Sequence, residues 1–194
     1  MTVVGILSLQ GAFEKHRIAI EHLGVSVCYV RYPADLDGCD GLIIPGGEST
    51  TMSKLLDESG LRPAVLDFAK KKSVLGTCAG MILMATDAAD KKVIPLGLIN
   101  IKVSRNAYGR QIDSFTTSLE LSMNGSSVTT RGVFIRAPRI LSMGREVEVL
   151  ARVKDEPVMV KQERHMACTF HPELSSNNYV HQYFLDLIQK PVLA

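Results

Sequence analysis

The segment that most constrains this chain is Gly76-Thr77-Cys78-Ala79-Gly80, which follows a short apolar run at residues 73–76 and leads into an apolar stretch at 81–85. A strand that turns at once into a helix brings backbone against backbone, so small residues are needed on both sides of the turn. The pattern is the cysteine version of the G-x-S-x-G nucleophile elbow. Such a turn exposes its central side chain at a strand end and at a helix start, where the dipole and free amides favour anionic sulfur. It also aims the amide of Ala79 at a developing oxyanion. Taken alone, the pentapeptide fits a structural cysteine in a tight turn equally well.

An elbow implies a sheet of buried strands alternating with helices, and the first half of the chain reads that way. Strands are expected at residues 3–9, 25–30, 41–44 and 73–76. Between them, residues 13–23 carry Phe13, Ile18, Ala19, Ile20 and Leu23 among charges, an amphipathic helix closed by Gly24. A second helix starts near Ser49 or Thr50 with Met52, Leu55 and Leu56 inward, and a third spans 62–70 with Pro63 in its first turn. Residues 97–170 read differently, as strands at 98–103, 115–121, 133–135, 147–153, 158–161 and 166–170, before a last helix at 178–189. The expected architecture is α/β: one domain over residues 1–194, a mostly parallel sheet with helices on both faces and additional antiparallel strands.

Composition narrows the function classes. The 22 basic and 20 acidic residues are spread along the chain, without the concentrated basic face that nucleic-acid binding needs. The apolar stretch at 3–9 is broken by Gly5 and Ser8 and is far short of the roughly 20 residues of a spanning helix, so a cytoplasmic protein is expected. Cys28, Cys39, Cys78 and Cys168 are widely spaced with no C-x-x-C pair, which fits neither zinc nor a disulfide framework. Three of them read as small buried hydrophobes.

Two further segments carry chemistry. In His171-Pro172-Glu173 the proline restrains His171 to an extended conformation, and residues two apart in an extended chain project to the same side. One carboxylate can then hold an imidazole by its far nitrogen and fix its tautomer. The order Cys, His, Glu differs from that of α/β-hydrolases, whose acid precedes the histidine. In Pro45-Gly46-Gly47-Glu48-Ser49-Thr50, paired glycines allow close backbone approach to a ligand. The segment lacks the ending of a P-loop and the third glycine of a dinucleotide fingerprint. It reads as an oxyanion and substrate loop, or as a plain turn capped by Ser49 or Thr50.

Together these segments resemble the class I (triad) glutamine amidotransferases. Ser8-Leu9-Gln10-Gly11, Ser104-Arg105-Asn106, Gly109-Arg110-Gln111 and Phe134-Ile135-Arg136-Ala137-Pro138 extend the match over nearly the whole chain. With Gly47-Glu48-Ser49-Thr50 they are similar to the glutaminase subunits of pyridoxal 5′-phosphate synthase. The resemblance implies a Cys78, His171 and Glu173 triad, an oxyanion hole at Gly47 and Ala79, and glutamine held by Gly46, Gly47, Glu48, Arg105, Ile135 and Arg136. Chemically, Glu48 suits the α-ammonium and a guanidinium the α-carboxylate; which arginine takes that part is open.

The resemblance also implies no metal or organic cofactor. The expected partner is a synthase (lyase) subunit in a hetero-oligomeric complex, which uses the ammonia to make pyridoxal phosphate from a pentose phosphate and a triose phosphate. Such glutaminases are poorly active until the synthase docks, and Gln10 and Gly11 are the expected partner-coupled loop. The competing readings are the glutaminase of imidazole glycerol phosphate synthase, a non-catalytic glutamine-binding subunit, and a γ-glutamyl hydrolase or cysteine peptidase.

Overall fold

In the computed structural model, which describes residues 1–105 and 114–189, strand and helix alternate through the first half. The strands are β1 (Val3–Leu7), β2 (Ser26–Val30), β3 (Gly41–Ile44) and β4 (Ser73–Thr77). The helices are α1 (Phe13–Glu21), α2 (Ser49–Glu58), α3 (Leu61–Ala69) and α4 (Ala79–Met84). Then follow β5 (Ala85–Ala88), β6 (Ile99–Ser104), β7 (Ser114–Met123), β8 (Ser126–Ile135), β9 (Arg139–Met143), β10 (Glu148–Val153), β11 (Glu156–Gln162), β12 (His165–Cys168) and α5 (Tyr179–Gln189).

Seven strands form one sheet in the order β10-β11-β12-β4-β3-β1-β2. The five from β12 to β2 run parallel, and β11 and β10 extend the edge antiparallel. A parallel strand covered on both faces should be apolar along its whole length. β3 and β4 are buried at every position. Alternation then divides their side chains: Leu42, Ile44 and Val74 join the core under α2, α3 and α4. Ile43 and Leu75 join the opposite core with α1, α5 and the β7–β8 pair. The sheet is mostly parallel with helices on both faces, as the sequence implied.

β7 and β8 form an antiparallel hairpin whose last pair is Met123 and Ser126. Asn124 and Gly125 turn it with φ of 51° and 75°. Two left-handed residues give the turn whose twist matches that of the strands, the reason Asn-Gly is favoured there.

Several boundaries differ from those expected. The first strand stops at Leu7 rather than residue 9, and the last sheet strand stops at Cys168 rather than 170. β8 begins at Ser126, far before the expected 133, because its outer half is polar and exposed and carries no apolar signature. β5 and β9 were not expected: Ala85 leaves the helical region with ψ 160° and starts a strand where the apolar run suggested continued helix. Nor do Ser49 or Thr50 cap α2. Glu48 does, its carboxylate accepting from the Thr50 and Thr51 amides. Cys39 and Cys168 are buried, whereas Cys28 is only partly so.

Candidate active site

Ligand sites in open α/β sheets gather at the carboxyl ends of the parallel strands, and here β1, β3, β4 and β12 deliver their ends to one crevice. Cys78 follows β4 with φ 49° and ψ −105°, a conformation sparsely populated by any residue bearing a Cβ. Two glycines permit it. A Cβ on Gly80 would lie 2.0 Å from the Ile44 carbonyl oxygen, and one on Gly76 would lie 2.7 Å from the Gly80 carbonyl carbon. The Cys78 amide donates to the Cys168 carbonyl at 2.8 Å, tying the elbow to β12.

Past β12, the His171 amide donates to the Val133 carbonyl at 2.8 Å. His171 Nδ1 lies 2.7 Å from Glu173 Oε1, and both residues are buried. The pair does not meet through an extended chain, as was expected. His171 has φ −105° and ψ 88°, and Pro172–Leu174 is one turn of 3-10 helix, closed by the Leu174 amide donating to His171 at 3.2 Å. Proline at the first position of that turn, rather than extension, brings carboxylate back onto imidazole. With Nδ1 engaged, Nε2 is the ring nitrogen left for Cys78, which lines the same cavity wall. Burial alone would pull the His171 pKa down; the neighbouring Cys78 sulfur and the bonded Glu173 carboxylate outweigh it and raise the value to about 10.

Glu173 Oε2 points the other way, into the interior, 3.3 Å from Nε2 of the fully buried His16. That approach is close but outside hydrogen-bonding alignment. Burial opposes the Glu173 charge, yet the two imidazoles hold its pKa below the ordinary value. For His16 burial wins over the pull of Glu173, so its pKa is lowered and the ring is neutral. Glu173 is therefore a carboxylate facing a neutral His16 and a protonated His171.

A cavity of about 390 Å³ lies in front of these groups, within the range that small-molecule sites occupy. Its wall includes Cys78, Ala79 and His171 together with Gln10, Gly11, Gly46, Gly47, Glu48, Arg105, Ile135 and Arg136. Of the expected site residues in the described chain, Glu173 alone stands behind the wall. Asn106, Gly109, Arg110 and Gln111 lie outside the described residues. A wider cleft of about 490 Å³ opens beyond Arg105, among Thr50, Asp90, Lys92 and Ser104, with neither cysteine nor histidine on its described wall.

The loops around the cavity are mutually braced. The Gly46 carbonyl accepts from the Ala12 amide at 3.0 Å, and Gln10 Oε1 accepts from the Glu48 amide at 2.9 Å. Glu48 accepts from the amides of α2 and from Arg105 Nη1 at 2.9 Å. Despite the cost of partial burial, those bonds and Arg105 take its pKa to about 2. Arg105 also meets Thr50 Oγ1 at 2.7 Å and Asp90 at 3.3 Å, whereas Arg136 makes no ion pair among the described residues. Arg136 itself has φ 44°. Behind it, Phe134 stacks on Phe115 at 4.5 Å and leans on Phe170 at 5.6 Å, pinning the end of β8 against the chain entering His171.

Sequence reasoning missed Ala12, Ile82 and Pro138 on the cavity wall, and His16 and Thr77 beneath it. A signal for His16 existed: it lies three and four residues before the inward Ala19 and Ile20, on the buried face of α1. Among the described residues no group of histidine, cysteine and acidic side chains could hold a metal ion. No described helix is long and apolar enough to cross a membrane.

The chain is similar to known proteins in both sequence and fold. The sequence profile of the SNO glutamine amidotransferase family matches residues 6–190. A protein of Thermosipho africanus named pyridoxal 5′-phosphate synthase subunit PdxT is 44% identical over 188 residues, 96% of this chain and 99% of the relative. A protein of the same name from Desulforudis audaxviator is 46% identical over 189 residues, 97% of this chain and 100% of the relative. Among solved structures, a glutamine amidotransferase crystal structure superposes with a TM-score of 0.90 at 42% identity, covering 96% of this chain and 99% of that one. The structure of PurLQS from Thermotoga maritima shares the fold, with a TM-score of 0.73 at 16% identity over 97% of this chain and 99% of that one.

Proposed function

The chain belongs to the SNO glutamine amidotransferase family, and on that footing we propose that it hydrolyses the side-chain amide of glutamine at Cys78 and supplies the ammonia to a pyridoxal 5′-phosphate synthase subunit. The observation that carries this reading is that Cys78 and His171 line one cavity of amino-acid size, with Glu173 bonded to His171 from behind. The relatives named as subunits of pyridoxal 5′-phosphate synthase support the partner.

The sulfur of Cys78 attacks the carboxamide carbon, and charge moves to the carbonyl oxygen. The amides of Gly47 and Ala79 receive that charge; a well-aimed donor is worth about 3–4 kcal/mol in such a step. His171, protonated and held by Glu173, gives its proton to the departing nitrogen, and the carbon–nitrogen bond breaks as ammonia leaves. A γ-glutamyl thioester remains. Water then adds with its proton taken by His171, the carbon–sulfur bond breaks, and glutamate leaves.

Glu48 and Arg105, which pair with each other on the cavity wall, suit the opposite charges of the zwitterionic amino-acid end of glutamine. Arg136 brings a second guanidinium to the same wall.

The loop after β1 is the part suited to sense a partner. Gly11 has φ 104°, and a Cβ there would lie 1.9 Å from the Gly46 carbonyl oxygen. Gln10 and Ala12 bond the two peptides flanking Gly47. In a trans peptide the N–H and C=O point in opposite directions, so the Ala12 bond to Gly46 fixes the direction of the Gly47 N–H. A synthase that moves residues 10–12 re-aims that donor.

The test is glutamate release from glutamine by the purified chain, with and without the synthase subunit, using Cys78→Ala as control. Release that rises with the synthase and vanishes in the variant supports both chemistry and partner. Release unchanged in Cys78→Ala overturns the catalytic assignment, and equal release without the synthase overturns the coupling through Gln10 and Gly11.

A further inference from the structure

Two histidines with no part in the mechanism above lie beneath the triad. His16 comes from α1 and His181 from α5, the helices covering one face of the sheet, and neither has any solvent exposure. His16 Nδ1 lies 2.9 Å from His181 Nε2. His16 Nε2 lies 3.2 Å from Thr77 Oγ1, on the strand that carries Cys78, and 3.3 Å from Glu173 Oε2. An apolar pair of similar volume would fill this space without desolvating two imidazoles. We propose that His16 and His181 are positioning residues that hold Glu173 in place, making the site a buried row of five groups: His181, His16, Glu173, His171 and Cys78.

The proton arrangement follows from what each atom can do. A carboxylate only accepts, so a bare nitrogen of His16 facing Glu173 Oε2 at 3.3 Å would set lone pair against negative charge. His16 Nε2 therefore carries the proton, bonded to the Thr77 hydroxyl with Oε2 3.3 Å away. His16 is neutral, so its Nδ1 is bare and takes the Nε2 proton of His181. That leaves His181 Nδ1 bare, and this atom has no hydrogen-bond partner. The chain thus ends on an unpaired acceptor at the far side, with every N–H directed toward Glu173. Burial pushes the His181 pKa down to about 3 and keeps that ring neutral.

Glu173 Oε2 has no aligned hydrogen-bond partner, so the His16 N–H is the dipole that offsets its charge and sets the carboxylate plane. With that plane fixed, Oε1 meets His171 Nδ1. The charged and titratable groups facing this carboxylate are His16 from α1, His171 on its own turn, and Cys168 from β12, with Cys78 beyond Cys168 and His171. His16 faces Glu173, His171 and His181. Of these neighbours only His16 approaches Oε2 from the interior side. Loss of its N–H leaves the carboxylate less able to stabilise the His171 imidazolium, so His171 releases its proton at lower pH.

This inference rests on the glutaminase reading, and the test separates the two. In the complex with the synthase, His16→Leu is expected to lower kcat for glutamate release by about ten- to a hundredfold, as for a buried charge that loses its nearest polar neighbour. KM for glutamine should hold, and the alkaline limb of the kcat/KM profile should move to lower pH. His16→Gln, whose amide nitrogen reaches the Nε2 position, should restore most of both. A rate loss equal at all pH values, or a Gln variant no better than Leu, would assign His16 a packing role and overturn the proposal. An inactive wild-type complex would instead sink the glutaminase reading. Nitrogen NMR of histidine-labelled wild-type chain needs no folded variant: it should report both rings neutral, with the proton on Nε2 of each, and unresponsive to pH through neutrality. A proton on Nδ1 of His16 would refute the arrangement.

Discussion

Gly80→Ala tests the elbow as a piece of packing. The added Cβ would arrive 2.0 Å from the Ile44 carbonyl oxygen, 2.9 Å from its carbon and 3.3 Å from its Cβ, and real Cβ contacts essentially never fall under 3.0 Å. The parts must therefore separate by about 1 Å to reach even that limit. Ile44 ends β3, which is hydrogen-bonded between β4 and β1 in the middle of the sheet, so it cannot yield. The six residues of α4 must move instead, and they carry Ala79 and the preceding Cys78 with them. Over-packing of this kind costs about 1–3 kcal/mol. In a chain of this size each kcal/mol lowers Tm by roughly 2–4 °C. A misplacement of about 1 Å between reacting groups can lower the rate about a hundredfold. The assay is glutamate release in the synthase complex, with thermal unfolding alongside and Gly38→Ala as control, since nothing lies within 4 Å of a Cβ there. Wild-type turnover and Tm in Gly80→Ala would refute the claim that glycine is required by this contact.

Glu173→Gln should reduce the dependence of stability on alkaline pH. The His171 pKa is raised to about 10 in the folded chain from about 6.5 when unfolded, so its contribution is full below the unfolded value and is lost as pH rises through the folded one. Without the carboxylate that window narrows from its upper end, which urea unfolding at a series of pH values checks; an unchanged alkaline slope would contradict it. Phe134→Ala removes a fully packed ring between Phe115 and Phe170 and should cost about 3–5 kcal/mol together with activity; a loss under about 1 kcal/mol would show that the stack does not hold β8 to β12. Gly11→Ala forces a side chain into a left-handed position against the Gly46 carbonyl; it should lower glutamate release by the complex at least about tenfold through the misaimed Gly47 peptide, and wild-type release would argue that this loop does not govern the donor.

The parallel half of the fold was legible because its strands obey a simple rule. Residues 41–44 and 73–77 are buried on both faces, so their centres are apolar and they stop at glycine-containing turns. The second half offered no such rule. β8 has an exposed, Ser- and Thr-rich outer half, and its pairing is set by the Asn124-Gly125 turn rather than by its own composition. β5 begins at Ala85, the end of the apolar run, and continues through the exposed Thr86 and Asp87, so no apolar alternation marked it as a strand. The N-cap of α2 was misread for a related reason. Ser49 and Thr50 are the usual capping types, but Glu48 has both the reach and the Arg105 counter-charge.

Residues at the cavity surface were readable because chemistry restricts them to a few types in short motifs. Groups behind that surface were not, since a histidine on the inner face of an amphipathic helix is spelled like any other buried polar residue. What distinguishes His16 is a contact 157 residues away in sequence, from position 16 to Glu173 at position 173, which no local pattern encodes. The same holds for His181, whose meaning depends on where α5 crosses α1. An extended row of this kind also explains why the acid lies on a 3-10 turn instead of an extended strand end. The turn brings Oε1 back to His171 and leaves Oε2 facing the interior. A buried carboxylate oxygen is costly to leave without a polar neighbour, and the turn that forms the His171 contact is the one that sets Oε2 3.3 Å from His16.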